Sequence, residues 1–254
     1  MSEELRVNSF ASIEEFVSGA VLLIDKPIGW TSFDVVNRIK GWVKNNVKIP
    51  LNAQGDKQRF KVGHAGTLDP LATGLLVICT GKMTKSIDHF QGGMKEYTGI
   101  ITFGKTTPSF DLETQPEGDF DTNHINLEML RQFAAGSLGE QMQTPPAFSA
   151  KQVDGKRAYA SARQGIAVEI PPVKITIHDF QFTSYNAPNA DFIIRCSKGT
   201  YIRTIAHETG LHLQSGSHLT KLCRTESHPF RIENALSIEA LIDRLKEIST
   251  MQTS

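Results

Sequence analysis

The sequence predicts an α+β fold built on a mixed, mainly antiparallel sheet with flanking helices. Short apolar runs of strand length recur along the chain. Amphipathic helical patterns lie between them without regular β-α-β alternation. Turn residues such as Asn186-Ala187-Pro188-Asn189 join neighbouring strands directly. At 254 residues the chain holds one large domain, or a domain with a lobe, and can bury a substantial core.

Residues 1–20 read as a helical lead-in. Ala20 to Ile24 is an apolar run stopped by Asp25-Lys26-Pro27, a strand entering a turn. Thr31 or Ser32 can cap a helix over Phe33–Val43, where Phe33, Val36, Ile39 and Val43 share a face. Asn45–Phe60 is polar, basic and irregular and reads as a surface insertion. Leu75–Thr80 reads as a buried strand, Thr84–Phe90 as a helix and Lys95–Gly104 as a strand. Lys105–Thr122 is a long polar loop, and Leu127–Leu138 an amphipathic helix. Gln143–Ala150 is extended and Ala158–Gln164 helical. Val173–Tyr185 and Asp191–Ser197 form a strand pair. Gly199-Thr200 caps a helix from Tyr201 to Gly210. His218–Phe230 reads as strand and loop, and Ser237–Ile248 as a terminal helix with Ile238, Leu241, Ile242 and Leu245 inward.

Formal net charge is zero, which argues against a protein that coats nucleic acid by bulk charge. The charge is unevenly spread, however. Arg38, Lys40, Lys44, Lys48, Lys57, Arg59 and Lys61 precede Gly63, and Lys82, Lys85 and Lys95 follow it. The acids gather at Asp111, Glu113, Glu117, Asp119 and Asp121. Three cysteines, Cys79, Cys196 and Cys223, lie far apart with no CxxC spacing, so neither a disulfide framework nor a zinc site is supported. They read as buried thiols in a reducing cytoplasm. No apolar stretch is long enough to span a bilayer, and the N-terminus lacks a signal-peptide layout. The histidines outside Gly63–Gly74 have no matching carboxylate or cysteine spacing, so no metal is expected. Gly81-Lys82-Met83-Thr84 fails as a phosphate loop, because Met83 stands where Ser or Thr is required.

The stretch richest in chemistry is Gly63-His64-Ala65-Gly66-Thr67-Leu68-Asp69-Pro70-Leu71-Ala72-Thr73-Gly74. It sets one carboxylate, Asp69, in a glycine-dense loop before a buried strand. Pro70 disfavours the α region at Asp69. Gly63, Gly66 and Gly74 open backbone conformations closed to other residues and leave room for a bulky ligand. An Asp-Pro turn is by itself common.

Several segments together resemble the TruB-type pseudouridine synthases. They are GHAGTLDPLATGLLVICTG with Lys82 to Lys85, the Lys95-Glu96-Tyr97 strand, TPPAFSAKQVDGKRAYASARQG and CSKGTYIRTIAHETG. The matches keep the family's order from Ile24-Asp25-Lys26-Pro27 to about Arg224. The resemblance implies the pseudouridine-synthase fold with an active-site cleft, and isomerisation of uridine 55 in the tRNA T loop after base flipping.

The resemblance also assigns residues. Asp69 matches the catalytic aspartate and Arg203 the arginine that pairs with it. Tyr97 matches a tyrosine that packs on the target base, and Tyr201 belongs to the same pocket. Leu222, in Lys221-Leu222-Cys223-Arg224, matches an apolar pocket residue, although Cys223 interrupts the usual basic pattern. His64 matches the histidine that fills the space left in the T loop, and Lys85 a basic position near the site that serves as an RNA or structural contact. The family needs no cofactor and no metal. The expected partner is the T arm of tRNA, bound by a monomer with no membrane association. Residues 1–236 are expected to form the catalytic domain and residues 237–254 a C-terminal helix and tail, without the small PUA domain of many relatives. A non-catalytic tRNA-binding or folding module is the alternative. A hydrolase using His64, Asp69 and Ser86 lacks the required GxSxG elbow.

Overall fold

A strand buried on both faces organises the first half of the molecule. The computed structural model describes residues 7–49, 59–149, 152–153, 156–157 and 170–251. They fall into two compact units, residues 1–93 with 223–254, and residues 94–222.

In the first unit, α1 (Ile13–Gly19) precedes β1 (Val21–Lys26), and α2 (Ser32–Asn46) follows a turn. β2 (Val62–His64) and β3 (Thr73–Thr80) flank the Asp69 loop. From Gly74 to Thr80 every residue of β3 is buried, which explains its unbroken apolar run. β1 pairs antiparallel with β3 from Val21 opposite Cys79 to Lys26 opposite Gly74. β2 pairs antiparallel on β3 as well. A 3-10 turn over Gly81–Ser86 leads into α3 (Ile87–Gly92). The expected single helix over Thr84–Phe90 is thus two short pieces. Among the described residues of the lead-in, Ile13–Gly19 is helical. Val21, Leu23, Leu75, Val77, Cys79, Phe90 and Phe230 form one core cluster.

In α2, Thr31 rather than Ser32 is the N-cap. Its hydroxyl accepts from the Asp34 N–H at 3.0 Å while the Asp34 carboxylate accepts from the Thr31 N–H at 2.8 Å, a reciprocal cap. Ser32 is left free to turn inward. The helix runs on through Asn45 and Asn46, past the predicted end. Residues 50–58 of the predicted insertion lie outside the described residues.

The second unit contains β4 (Lys95–Phe103), α4 (Leu127–Gly136), β5 (Gly139–Gln143), a short pairing of β6 (Gln152–Val153) with β7 (Lys156–Arg157), β8 (Val173–Asn186), β9 (Asn189–Cys196) and α5 (Ile202–His212). β4 pairs with β9, β9 with β8 and β8 with β5, all antiparallel. Alternation along β4 and β9 puts Tyr97, Ile101, Phe103, Phe192, Ile194 and Cys196 on buried positions. The predicted helix over Ala158–Gln164 lies outside the described residues. The predicted strand pair meets at the Ala187-Pro188 turn as expected, but β5 was not anticipated.

α5 departs from the expected cap. Tyr201 is its N-cap residue, with no side-chain cap bond, and the Thr200 hydroxyl donates instead to the Ser197 carbonyl at 2.9 Å. The helix also continues past Gly210 to His212. Gly210 is a contact glycine, because a Cβ there would lie against the Ser217 backbone N–H.

β10 (Ser217–Ser227) passes from the second unit into the first after Leu222. Its Cys223 and Arg224 pair parallel with Thr73 and Gly74, which makes the pairing mixed, and β11 (Phe230–Arg231) folds back on it. α6 (Ile238–Met251) buries Ile238, Leu241, Ile242 and Leu245, the four residues predicted to face inward. None of the helices among the described residues is long and apolar enough to cross a membrane.

Candidate active site

Asp69 sits on the loop between β2 and β3, half-buried, and the chain on either side of it is held through backbone atoms. Before it, Leu68 donates its N–H to the Ser32 Oγ at 2.8 Å, and the Ser32 hydroxyl lies 3.3 Å from the Leu68 carbonyl. After it, the Pro70 carbonyl accepts from the Gly29 N–H at 2.8 Å. The Asp69 carbonyl accepts from the Ala72 N–H at 3.1 Å, closing a turn. Pro70 and the glycines were read from sequence. Ser32 and Gly29 were missed, because nothing local says that the turn before α2 reaches a loop some forty residues on.

Two buried cations support the loop. Lys26 has no solvent exposure, and its ammonium donates to the Trp30 carbonyl at 2.6 Å and the Pro27 carbonyl at 3.0 Å. Burial lowers its pKa to about 8, with the negative charge of Asp69 pulling the other way. Arg224, 1% exposed, donates from Nε to the Leu75 carbonyl at 2.7 Å and from a terminal nitrogen to the Gly66 carbonyl at 3.3 Å. Gly66 and Gly74 both have φ of +100°. A Cβ on Gly74 would press on the Arg224 backbone, with its nitrogen 2.7 Å away. Gly63 differs from the expectation: it has no positive φ and lies in β2, where a Cβ would meet the Ile87 side chain at 2.8 Å.

His64 ends β2, opposite Ile78. Its Nδ1 is buried and has no hydrogen-bond partner. Burial, aided by the Arg224 charge, lowers its pKa, so the ring is neutral at pH 7. Lys85 closes the 3-10 turn and is exposed.

Tyr97, Tyr201, Arg203 and Leu222 all belong to the second unit. Tyr97 is buried in β4 opposite Ile194, and Leu222 is buried in β10. Gln143, buried at the end of β5, fixes the start of α5. Its Oε1 accepts from the Tyr201 N–H at 2.8 Å and its Nε2 donates to the Tyr201 carbonyl at 3.1 Å. Arg203, the second residue of the helix, is 3% exposed. It donates to the Ser109 carbonyl at 3.1 Å and the Phe148 carbonyl at 2.9 Å, and its Nε lies 3.6 Å from the Asp111 carboxylate. In sequence Asp111 belongs to the acidic run of a polar loop, and the structure buries it against this arginine. The first unit therefore carries His64 at the end of β2 and Asp69 on the loop that follows it, and the second carries Tyr201 at the N-cap of α5 and Arg203 within the helix.

Burial raises the Cys79 thiol pKa to about 11 and the Cys196 thiol pKa to about 12, so both are inert at neutral pH. Among the described residues no group of three or more His, Cys, Asp or Glu is placed to hold a metal ion.

The fold and the sequence have counterparts among known proteins. A chain of the Cbf5-Nop10-Gar1 complex superposes with a TM-score of 0.64 at 26% identity, over 91% of this chain and 55% of that one. This chain thus spans just over half the length of that solved relative. Together with the sequence matches below, this fold defines a pseudouridine synthase, an isomerase. The model of the "TruB family pseudouridylate synthase (N terminal domain)" matches residues 53–202. The tRNA pseudouridine synthase B of Flavobacterium johnsoniae is 49% identical over 233 residues, covering 92% of this chain and 99% of that one. The enzyme of that name from Phocaeicola vulgatus is 44% identical over 232 residues. The chain belongs to the TruB family of pseudouridylate synthases.

Proposed function

We propose that this enzyme converts uridine 55 in the T loop of tRNA to pseudouridine, with Asp69 as its catalytic carboxylate. The observation that carries the reading is the loop itself. A single acid sits on a segment whose path is fixed by Ser32 on one side and Gly29 on the other, in a chain whose relatives are named tRNA pseudouridine synthase B. Preorganisation of this kind is what a charged transition state rewards.

The reaction breaks the N1–C1′ bond, turns the uracil and joins C5 to C1′. The C5 proton is lost and N1 gains one, so no oxidant or co-substrate is consumed. Asp69 serves either as nucleophile at C1′ or as base and counter-charge to a cationic sugar. Arg203 is the partner that keeps this carboxylate charged. Tyr97 lies against the extruded base, and Tyr201 and Leu222 complete its pocket, since an aromatic face accepts a flipped base readily. His64 occupies the gap left in the T loop, and its neutral ring suits insertion among stacked bases. Lys85, exposed beside this loop's strand, contacts the RNA.

The test is a pseudouridine-specific chemical readout on tRNA lacking the modification. Asp69→Asn is expected to lower turnover by about a thousandfold or more while tRNA affinity stays within about tenfold, because charge is lost with little change of shape. Appreciable turnover by the purified variant would refute the assignment. Wild-type protein that binds tRNA and forms no pseudouridine would instead favour the non-catalytic module.

A further inference from the structure

The loop that meets Arg203 is built around a phenylalanine in an unusual conformation. Phe110 has a φ of +64°, a left-handed backbone that a bulky side chain rarely adopts. Such a conformation persists only where its surroundings hold it. Here the Phe110 N–H donates to the Thr107 carbonyl at 3.1 Å, and the Phe110 carbonyl accepts from the Leu219 N–H at 2.9 Å. Its ring lies flat on His207, with centroids 4.0 Å apart and planes 8° from parallel. His207 stands one turn after Arg203 on α5, the spacing that puts two side chains on one helix face. Segment 109–111 therefore crosses that face with three consecutive residues engaged: the Ser109 carbonyl on Arg203, the Phe110 ring on His207 and the Asp111 carboxylate beside the Arg203 Nε.

We propose that Phe110 and His207 form a clamp that positions Arg203 for the reaction. The stack holds Phe110 left-handed, and that turn alone presents the Ser109 carbonyl and the Asp111 carboxylate to different nitrogens of the same guanidinium. His207 is retained for the face of its ring, since its buried Nδ1 makes no hydrogen bond. Both are positioning residues that act through Arg203. The inference rests on the reading of Arg203 given above.

The test uses the full chain, an unmodified tRNA transcript and single-turnover rates at saturating enzyme, with thermal unfolding to confirm each fold. His207→Ala removes the stack and is expected to slow the chemical step about tenfold, equivalent to about 1.4 kcal/mol, with tRNA affinity unchanged. His207→Phe keeps a flat ring and is expected to recover the rate to within about threefold of wild type. Phe110→Leu, which keeps bulk and loses the ring face, is expected to behave like His207→Ala and serves if that variant fails to fold. In an Arg203→Ala background, His207→Ala is expected to add nothing. A folded His207→Ala or Phe110→Leu protein at the wild-type rate would overturn the clamp, as would His207→Phe no faster than His207→Ala. Full activity of Arg203→Ala would instead overturn the role given to Arg203. A slow Arg203→Ala enzyme that His207→Ala slows further by the same factor as wild type would overturn the clamp alone.

Discussion

At the scale of single residues, two glycines separate backbone strain from steric contact. Gly29 and Gly74 both have positive φ, at +82° and +100°. A Cβ at Gly29 would meet nothing within 4 Å, whereas one at Gly74 would drive into the backbone of Arg224. Gly29→Ala is therefore expected to cost about 1 kcal/mol, the strain alone, and Gly74→Ala about 3 kcal/mol or more. Urea unfolding of the two variants checks this, and equal losses would refute the contact argument. Gly74 was read from sequence as conformationally special. That Arg224 is what it must accommodate was not legible, because the contact joins distant segments.

Among the elements, α5 starts with little local support. Its N-cap residue, Tyr201, has no side-chain cap bond; Gln143 from β5 accepts from the Tyr201 N–H and donates to the Tyr201 carbonyl, which also accepts from the Ile205 N–H. Gln143→Leu leaves the half-buried Tyr201 N–H without that acceptor, and is expected to cost about 2 kcal/mol in chemical denaturation. A change below about 0.5 kcal/mol would show that the helix start holds itself. This element also shows where sequence reading stops. The apolar alternation of β4, β8 and β9, the inward face of α6 and the Asp69 loop were all legible, because each follows from local periodicity or turn chemistry. The start of α5 was misplaced, because Thr200 turned away to Ser197. The burial of Asp111 was missed for a related reason: an acid in an acidic run looks solvated until Arg203 is placed beside it. The motifs of the candidate site were visible in the sequence, and the groups that support them were not.

For the whole molecule, two histidines set a limit on the acid side. Burial lowers the pKa of both His64 and His207 in the folded state. The unfolded chain binds these protons near pH 6.5, where the folded chain still refuses them. Their neutral forms are accommodated without penalty above that value, and stability falls as pH drops through it. The melting temperature is expected to decline between pH 7 and pH 5, and the decline to flatten in a His64→Gln/His207→Gln double variant. An identical slope in the two proteins would assign the acid sensitivity elsewhere.

The loop that bears Asp69 is held in part by bonds to main-chain groups: the Leu68 N–H, the Pro70 carbonyl, the Gly66 carbonyl bound by Arg224. These are parts that nearly every amino acid shares. Ala65, Leu68 and Ala72 are buried and fixed, but none of those bonds involves the side chains of exposed Thr67 and half-buried Leu71, which are open to change. A lineage could redraw what this loop offers to an RNA, one substitution at a time, without ever unseating the acid at its centre.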